Sequence, residues 1–581
     1  MTADRPGPAF SVDDIPFSTY GSWFGISPVV AEKTRADDLH LVSHQNGMHA
    51  VLRLMPLDAA TGERAETRVE ARPGLLTWVG ATGRVDLAYE SPDTVRLRGT
   101  GMPLRVSAAA RTLTPFSGTY FFRDAAADAY VFTSYESGCR YRVTVLSGTV
   151  ADTFGAQALG GADRGLTVAA GTDAEEAPWE VAVEEIDTAR PPYTSTATFG
   201  KIVEAARNSF ADFVDTVAPW RSAATPAAEL AAYVLWSATV RPTSLVTRPA
   251  VLMSKHWMDK VWSWDHCFNA LALAPGCPEL AWDQYHLPFD HQDETGALPD
   301  SVTHSEVLRN FVKPPIHGWA FGHLRRRMAT PPGRAELAET YDRLERWTDF
   351  WLTARRAPGA ALPHYQHGND SGWDNATTFD PERVVVTADL AAFLVLQLRE
   401  LAELATRLDR PDDARRWTRA AETTQAAMLE ELWNGDRFVA RGVDSGDTWD
   451  CSSLLDLMPV VLGERLPDEI SGALAARIET HLTPYGLATE LTTSPHYLPD
   501  GYWRGPIWAP ATVLIEDGLR RAGHERLADE ISARFRALCE THGFAENFDA
   551  LTGTGLRDRA YTWTASSYLL LAEAHAHRDS R

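Results

Sequence analysis

The hydrophobic period of this 581-residue chain changes once, near residue 200, so two architectures must share it. Before that point, segments such as Thr94-Val95-Arg96-Leu97-Arg98 and Tyr141-Arg142-Val143-Thr144-Val145 alternate apolar and polar residues. Alternation with period two is the pattern of a strand with one buried face. Turn formers separate the runs: Ser91-Pro92-Asp93, Gly99-Thr100-Gly101, Ser137-Gly138 and Gly160-Gly161. Many short strands at regular spacing predict an antiparallel β-sandwich over residues 1–190. Ala189-Arg190-Pro191-Pro192-Tyr193 reads as the start of a linker, taken as 191–222.

Beyond it the period is helical. Between Ala388 and Leu408 a broad stripe of Phe393, Leu394, Val395, Leu398, Leu401, Leu404 and Leu408 predicts one buried helix. Arg410-Pro411-Asp412-Asp413 breaks it and starts the next, with Trp417, Ala421, Thr424 and Met428 on one face. A second such pair is expected over about 506–522 and 525–541. Helix, tight turn, helix is an αα-hairpin. Longer segments near 358–387, 434–450, 485–505 and 542–560 join the hairpins and are rich in Gly, Asn, Asp, Trp and Tyr. Loops of that length in a compact domain are usually functional. Repeated hairpins with such loops predict a closed α/α barrel over 223–581, with an open solenoid disfavoured by the lack of a fixed repeat.

Composition narrows the partners. A net charge of −23 opposes binding to nucleic acid or an anionic membrane. No apolar run approaches a membrane span, and the first residues lack the basic-then-apolar pattern of a secretory signal. Five scattered cysteines without CxxC spacing suit reduced thiols, hence an expected cytoplasmic location. Neither HExxH nor GxxxxGK[ST] is present. His256, Asp259, Asp265 and His266 could be imagined as metal ligands, but the indoles around them suit a sugar pocket better, and no metal or cofactor is expected.

The loops carry what carbohydrate chemistry needs. Asp265 sits among Trp262, Trp264 and Phe268; Gln292 to Asp300 and then Lys313-Pro314-Pro315 follow. His367 to Asn375 contains Asp370, Trp373 and Asp374; Tyr502-Trp503-Arg504-Gly505 runs on to Trp508; and Glu546 lies between Phe544 and Phe548. Cleaving a glycosidic bond takes one acid for the departing oxygen and one base or nucleophile on the opposite face. A carboxyl among indoles is disfavoured as an anion, which raises its pKa toward the range of a general acid. Asp374 fits the first role and Glu546 the second, although the residues alone leave other acids open.

Five stretches, in order, resemble glycoside hydrolase family 63, which includes processing α-glucosidase I and is related to trehalases. They are Lys260–Phe268, Lys313–Ala320, Ser371–Asn375, Tyr502–Trp508 and Glu546–Gly553. The resemblance implies an (α/α)6 barrel and hydrolysis with inversion. It makes Asp374 the general acid in preference to Asp370, and Glu546 the general base. It also implies that Asp265 grips the nonreducing sugar and that Trp503, Arg504, Gly505 and Trp508 form pocket wall. With Trp262, Trp264, Gln292, Lys313, Trp373, Asn375 and Tyr502, these are the expected substrate-binding residues. The expected reaction is exo-acting hydrolysis of an α-glycoside, foremost an α-glucoside, in a small saccharide or glycoside. A glycerate-type aglycone would need a cation, for which Lys313 and Arg504 are candidates. The alternatives are a phosphorylase, lyase or epimerase on the same barrel, or a carbohydrate-binding protein without catalysis.

Overall fold

The computed structural model describes residues 6–155, 159–171 and 177–579. They form two compact units. The first holds the chain up to Pro219 with Ala232–Lys260 and Thr303–Ser305; the second holds Trp220–Ala231, Val261–Val302 and Glu306 onward.

Two antiparallel sheets dominate the first unit. In spatial order the six-stranded sheet runs Phe24–Ala31, Thr34–Ser43, His49–Pro56, Leu104–Ala108, Gly165–Ala169, Thr149–Phe154. The eight-stranded sheet runs Thr119–Asp124, Ala129–Ser134, Arg140–Ser147, Trp179–Ile186, Thr94–Thr100, Arg84–Ser91, Leu75–Gly80, Thr67–Arg72. Phe24, Leu41, Leu54 and Val106 from one sheet and Leu76, Leu87, Leu97 and Val183 from the other share one apolar core. That is the stacking the alternation predicts. Gly160-Gly161 departs from the expected turn, because the pair forms a short strand against Thr112–Leu113.

Alternation should also turn Arg96 and Arg142 to solvent, yet both are buried. The next segment of chain covers them. Arg96 donates to the Tyr193 hydroxyl at 2.9 Å, and Arg142 donates to the carbonyls of Arg190 and Pro191 at 2.9 and 2.7 Å. Arg142 also meets the buried Glu184 at 2.7 Å, so the charge is paired where water is excluded. Within 191–222 the chain then forms helix α1 (Phe199–Val217), capped by the Thr198 hydroxyl. Its Phe199, Ile202 and Val203 pack on Ala88 of the sheet.

Helix α2 (Ala228–Ala238) precedes the helical unit. There, α3 (His266–Leu273), α4 (Pro278–Asp290), α5 (His317–Arg327), α6 (Arg334–Thr353), α7 (Ala388–Arg407) and α8 (Pro411–Leu432) come first. The 3-10 stretch Leu454–Arg465, α9 (Asp468–Thr480), α10 (Ala509–Arg521), α11 (Glu525–His542) and α12 (Thr562–Asp579) complete it. α3 packs on α5, α5 on α7, α7 on Leu454–Arg465, that stretch on α10, α10 on α12, and α12 back on α3. Six elements therefore close an inner ring, while α4, α8, α9 and α11 each lie against the inner element before them. This is an (α/α)6 barrel. The sequence logic holds locally: α8 buries Trp417, Ala421, Thr424 and Met428, and Pro411 opens it. α10 begins three residues later than its expected start near Pro506, because Ile507 is drawn into extended pairing with Ala488 and Phe548.

Candidate active site

The expected site residues lie in the segments leading into inner elements, and the hairpin repeat brings those segments to one end of the barrel. Neighbouring segments are tied to each other. Val261–Trp262, before α3, pairs with Ser301–Val302, before α5. The Val312 amide donates to Asp370 at 3.1 Å, joining the entry of α5 to that of α7. Asn375 joins the entries of α7 and α10 by donating to the Gly501 carbonyl and accepting from the Trp503 amide, both at 3.0 Å. Ile507 and Phe548 exchange backbone hydrogen bonds, joining the entries of α10 and α12. Trp264 and Trp563 meet edge to face at 5.7 Å and bring α12 back to α3.

Inside this ring of loops is a group of carboxyls around one cation. The Lys313 ammonium lies 3.1 Å from Asp300 and 3.9 Å from Asp374, and donates to the Asn369 carbonyl at 3.0 Å. Burial works against the ammonium, but the charges of Asp374, Asp300 and Asp265 hold its pKa above the ordinary lysine value. Burial pushes Asp374 up; Lys313 opposes the shift and Asp300 adds to it. The Asp374 side chain keeps 29% of its surface, so solvent still reaches the carboxyl. Asp265 is driven well above the carboxylate range by burial, again opposed by Lys313.

Glu546 is 1% exposed, and neither of its carboxyl oxygens has a hydrogen-bond partner among the described residues. Burial first, then the charge of Asp558, pushes its pKa up to about 8; Arg557 opposes this, and Asp374 contributes in the same direction as Asp558. Burial, then the charges of Asp374 and Glu546 and, more weakly, Asp265, push the Tyr502 hydroxyl well above the ordinary tyrosine value. A buried carboxyl with unused oxygens is costly. It is the kind of group that serves a ligand or a water. Burial thus pushes both carboxyls upward, but Lys313 beside Asp374 favours its anion, an arrangement that also suits the reverse of the roles the resemblance implies.

Buried aromatic residues pack together at the same end of the barrel. Trp503 stacks on Trp508 at 4.0 Å with planes 6° apart and meets Trp373 at 4.6 Å with a 30° tilt, and Trp508 meets Trp563 at 5.5 Å. The Trp508 indole donates to the Tyr502 carbonyl at 2.8 Å. Gly372 has φ +74°, and a Cβ there would sit 2.6 Å from the Trp264 ring. The backbone can therefore turn under that indole and deliver Asp374 only with glycine at this point.

Other expected residues stand differently. The Gln292 amide donates to the carbonyls of Gly296 and Arg343 at 2.8 and 3.1 Å, bracing its own loop against α6. Arg504 pairs with Asp380 and donates to the Asn375 carbonyl at 2.7 Å. Gly505 has φ +148°, and a Cβ would strike the Leu498 carbonyl. Asp370 is saturated by Arg355 at 2.6 Å and by the amides of Val312 and Gln366, so its carboxylate is a structural pivot. Asp300, which the sequence offers only as the end of the Gln292–Asp300 stretch, takes its place beside Lys313. Tyr561 and Trp563, which pack on each other and, through Trp563, on Trp264 and Trp508, are missed, although the repeat Tyr561-Thr562-Trp563 is a visible signal. His44 Nδ1 lies 3.2 Å from Asp259, and no group of three or more His, Cys, Asp or Glu suited to a metal occurs among the described residues.

The loop end of this six-hairpin barrel gathers buried carboxyls and indoles, a setting that suits carbohydrate chemistry, and comparisons with known proteins place the chain among glycoside hydrolases. Residues 258–564, more than half of the chain, match the family model described as "Mannosylglycerate hydrolase MGH1-like glycoside hydrolase domain". The chain belongs to that family, within glycoside hydrolase family 63. A relative from Rubrobacter radiotolerans named mannosylglycerate hydrolase is 27% identical over 419 residues, 56% of this chain and 93% of the relative. The solved mannosylglycerate hydrolase of Thermus thermophilus, in complex with glucose, superposes with a TM-score of 0.52 at 23% identity over 59% of this chain and 99% of that one. A bacterial glucoamylase complexed with acarbose gives a TM-score of 0.63 at 11% identity over 99% of this chain and 96% of its own.

Proposed function

We propose that this enzyme is an inverting, exo-acting hydrolase of a small α-glycoside, with Asp374 as general acid and Glu546 as general base. The observation that carries this reading is the contrast between the two carboxyls. Glu546 is fully buried with both oxygens unused by the protein, as a residue that holds an attacking water requires. Asp374 remains partly open at the same barrel end, where a leaving group can depart. In an inverting site the two carboxyls stand ~6.5–9.5 Å apart to leave room for that water. Asp265, among Trp262 and Trp264, grips the terminal sugar, and Trp373, Trp503 and Trp508 line the pocket.

For the sugar, we propose a glucosyl unit first and a mannosyl unit second. A relative's name supplies mannosylglycerate, and the Thermus structure was solved with glucose. Mannosylglycerate and glucosylglycerate, the second the substrate named for another relative, belong in the substrate screen beside neutral α-glucosides and disaccharides.

A second reading exchanges the roles of the two acids, and the charge pattern favours it: Lys313 sits beside Asp374, while Glu546 is pushed up to about 8. Glycosyl fluorides separate the readings, because fluoride departs without a proton. With Asp374 as acid, Asp374→Asn loses about 10²–10⁴-fold on an O-glycoside and keeps most of its activity on the α-glycosyl fluoride. Glu546→Gln then loses both activities. The opposite pattern establishes the exchange, and full activity in both variants refutes either reading.

A further inference from the structure

The loop end of the barrel holds one buried ammonium among several carboxyls, and its geometry is unequal. Lys313 is 6% exposed and fixed by the Asn369 carbonyl at 3.0 Å, with Asp300 at 3.1 Å and Asp374 at 3.9 Å. Asp300 is itself held in place: its amide donates to the Leu308 carbonyl at 2.9 Å, and its carbonyl accepts from the Ser263 amide at 3.3 Å. The carboxylate closer to the cation thus comes from a segment that performs no chemistry in the proposed reaction.

We infer that Lys313 is a positioning cation shared between Asp300 and Asp374: it rests on Asp300 while Asp374 carries its proton and turns to Asp374 when that proton leaves. The inference rests on the reading of Asp374 as the acid. In the step itself, the Asp374 carboxyl O–H bond breaks, its proton goes to the glycosidic oxygen, and the electron pair stays on the carboxylate. A new negative charge then appears 3.9 Å from an ammonium, and a small swing of a lysine side chain brings the two into contact. Without that cation the charge would form against Asp300 and Asp265. Asp300 keeps the ammonium from capturing Asp374 too early, which would leave the acid without its proton. This accounts for a cation beside an acid that must be protonated to work. It also gives Lys313 and Arg504 employment inside the protein, since Arg504 is held by Asp380 and Asn375.

The titratable groups whose charges couple to Asp374 are Lys313, 3.9 Å away, with Asp300, His367, Asp265, Tyr502 and Glu546. Of these, Lys313 and His367 lower its pKa and Asp300 raises it. The alkaline limb of kcat/KM reports the acid of the free enzyme, so the two partners have opposite effects on it. Lys313→Gln removes the cation and moves the limb upward by about 1–3 pH units. Asp300→Asn removes an anion and frees the ammonium for Asp374, moving the limb downward. Lys313→Arg keeps the charge and leaves the limb near its wild-type position. A lysine that only supports the loop would lower kcat in every variant and move no limb.

The experiment is a set of pH profiles with an O-glycoside for the wild type, Asp374→Asn, Lys313→Gln, Lys313→Arg and Asp300→Asn. Opposite shifts for Lys313→Gln and Asp300→Asn support the shared cation. Should Lys313→Gln not fold, the downward shift in Asp300→Asn decides alone. An unchanged limb in Asp300→Asn, or shifts in the same direction, overturns the inference. Survival of the alkaline limb in Asp374→Asn instead refutes the assignment of the acid, a separate outcome.

Discussion

Asp370 and Asp374 are four residues apart on one loop, and their surroundings separate them. Asp370 spends its carboxylate on Arg355 and two backbone amides, while Asp374 is left beside Lys313 with part of its surface open. Between them, Gly372 adopts φ +74° under the Trp264 ring. Alanine there meets both a left-handed backbone and a blocked Cβ position. Gly372→Ala is expected to cost about 1–3 kcal/mol of stability and to displace Asp374, lowering kcat on O-glycosides. Chemical denaturation and steady-state kinetics measure the two effects. A variant as stable and as active as the wild type would show that the close approach is unimportant.

Among the elements, the entry segments matter more than the helices they precede. Asn375 supports this directly, since its one side chain serves the Gly501 carbonyl and the Trp503 amide. Asn375→Ala leaves the partly buried Trp503 amide without its acceptor, at a cost of about 1–3 kcal/mol, while the Gly501 carbonyl keeps the Arg504 amide at 3.1 Å. It should also loosen Tyr502 and Trp503 and raise KM more than it lowers kcat; an unchanged KM would contradict the brace. Much of this level is legible in the sequence, because helical and strand periods are local. α8 buries Trp417, Ala421, Thr424 and Met428, as their spacing predicts, and Leu432 besides. What is not legible depends on partners far along the chain. Arg504 looks like a free pocket cation until Asp380, on another loop, takes it. Arg96 and Arg142 look solvent-facing until 190–193 lies over them. Asp300 has no aromatic flank and acquires meaning only through Lys313.

At the scale of the whole molecule, two likenesses cover different extents. The family model spans 258–564, the part that holds all the candidate site residues. The glucoamylase likeness spans 99% of the chain at 11% identity, so the sandwich-plus-barrel fold persists where sequence does not. The chain carries a net charge of −23, and the candidate site adds acids to that background with Lys313 as the buried counter-ion. The central claim is that Asp374 and Glu546 stand on opposite faces of the sugar with a water between them. Following the anomeric proton by NMR during hydrolysis of an α-glycoside tests it most directly. Inversion predicts that the β-anomer of the free sugar appears first and the α-anomer only later, by mutarotation. Initial release of the α-anomer would contradict the claim and point to a covalent intermediate with net retention.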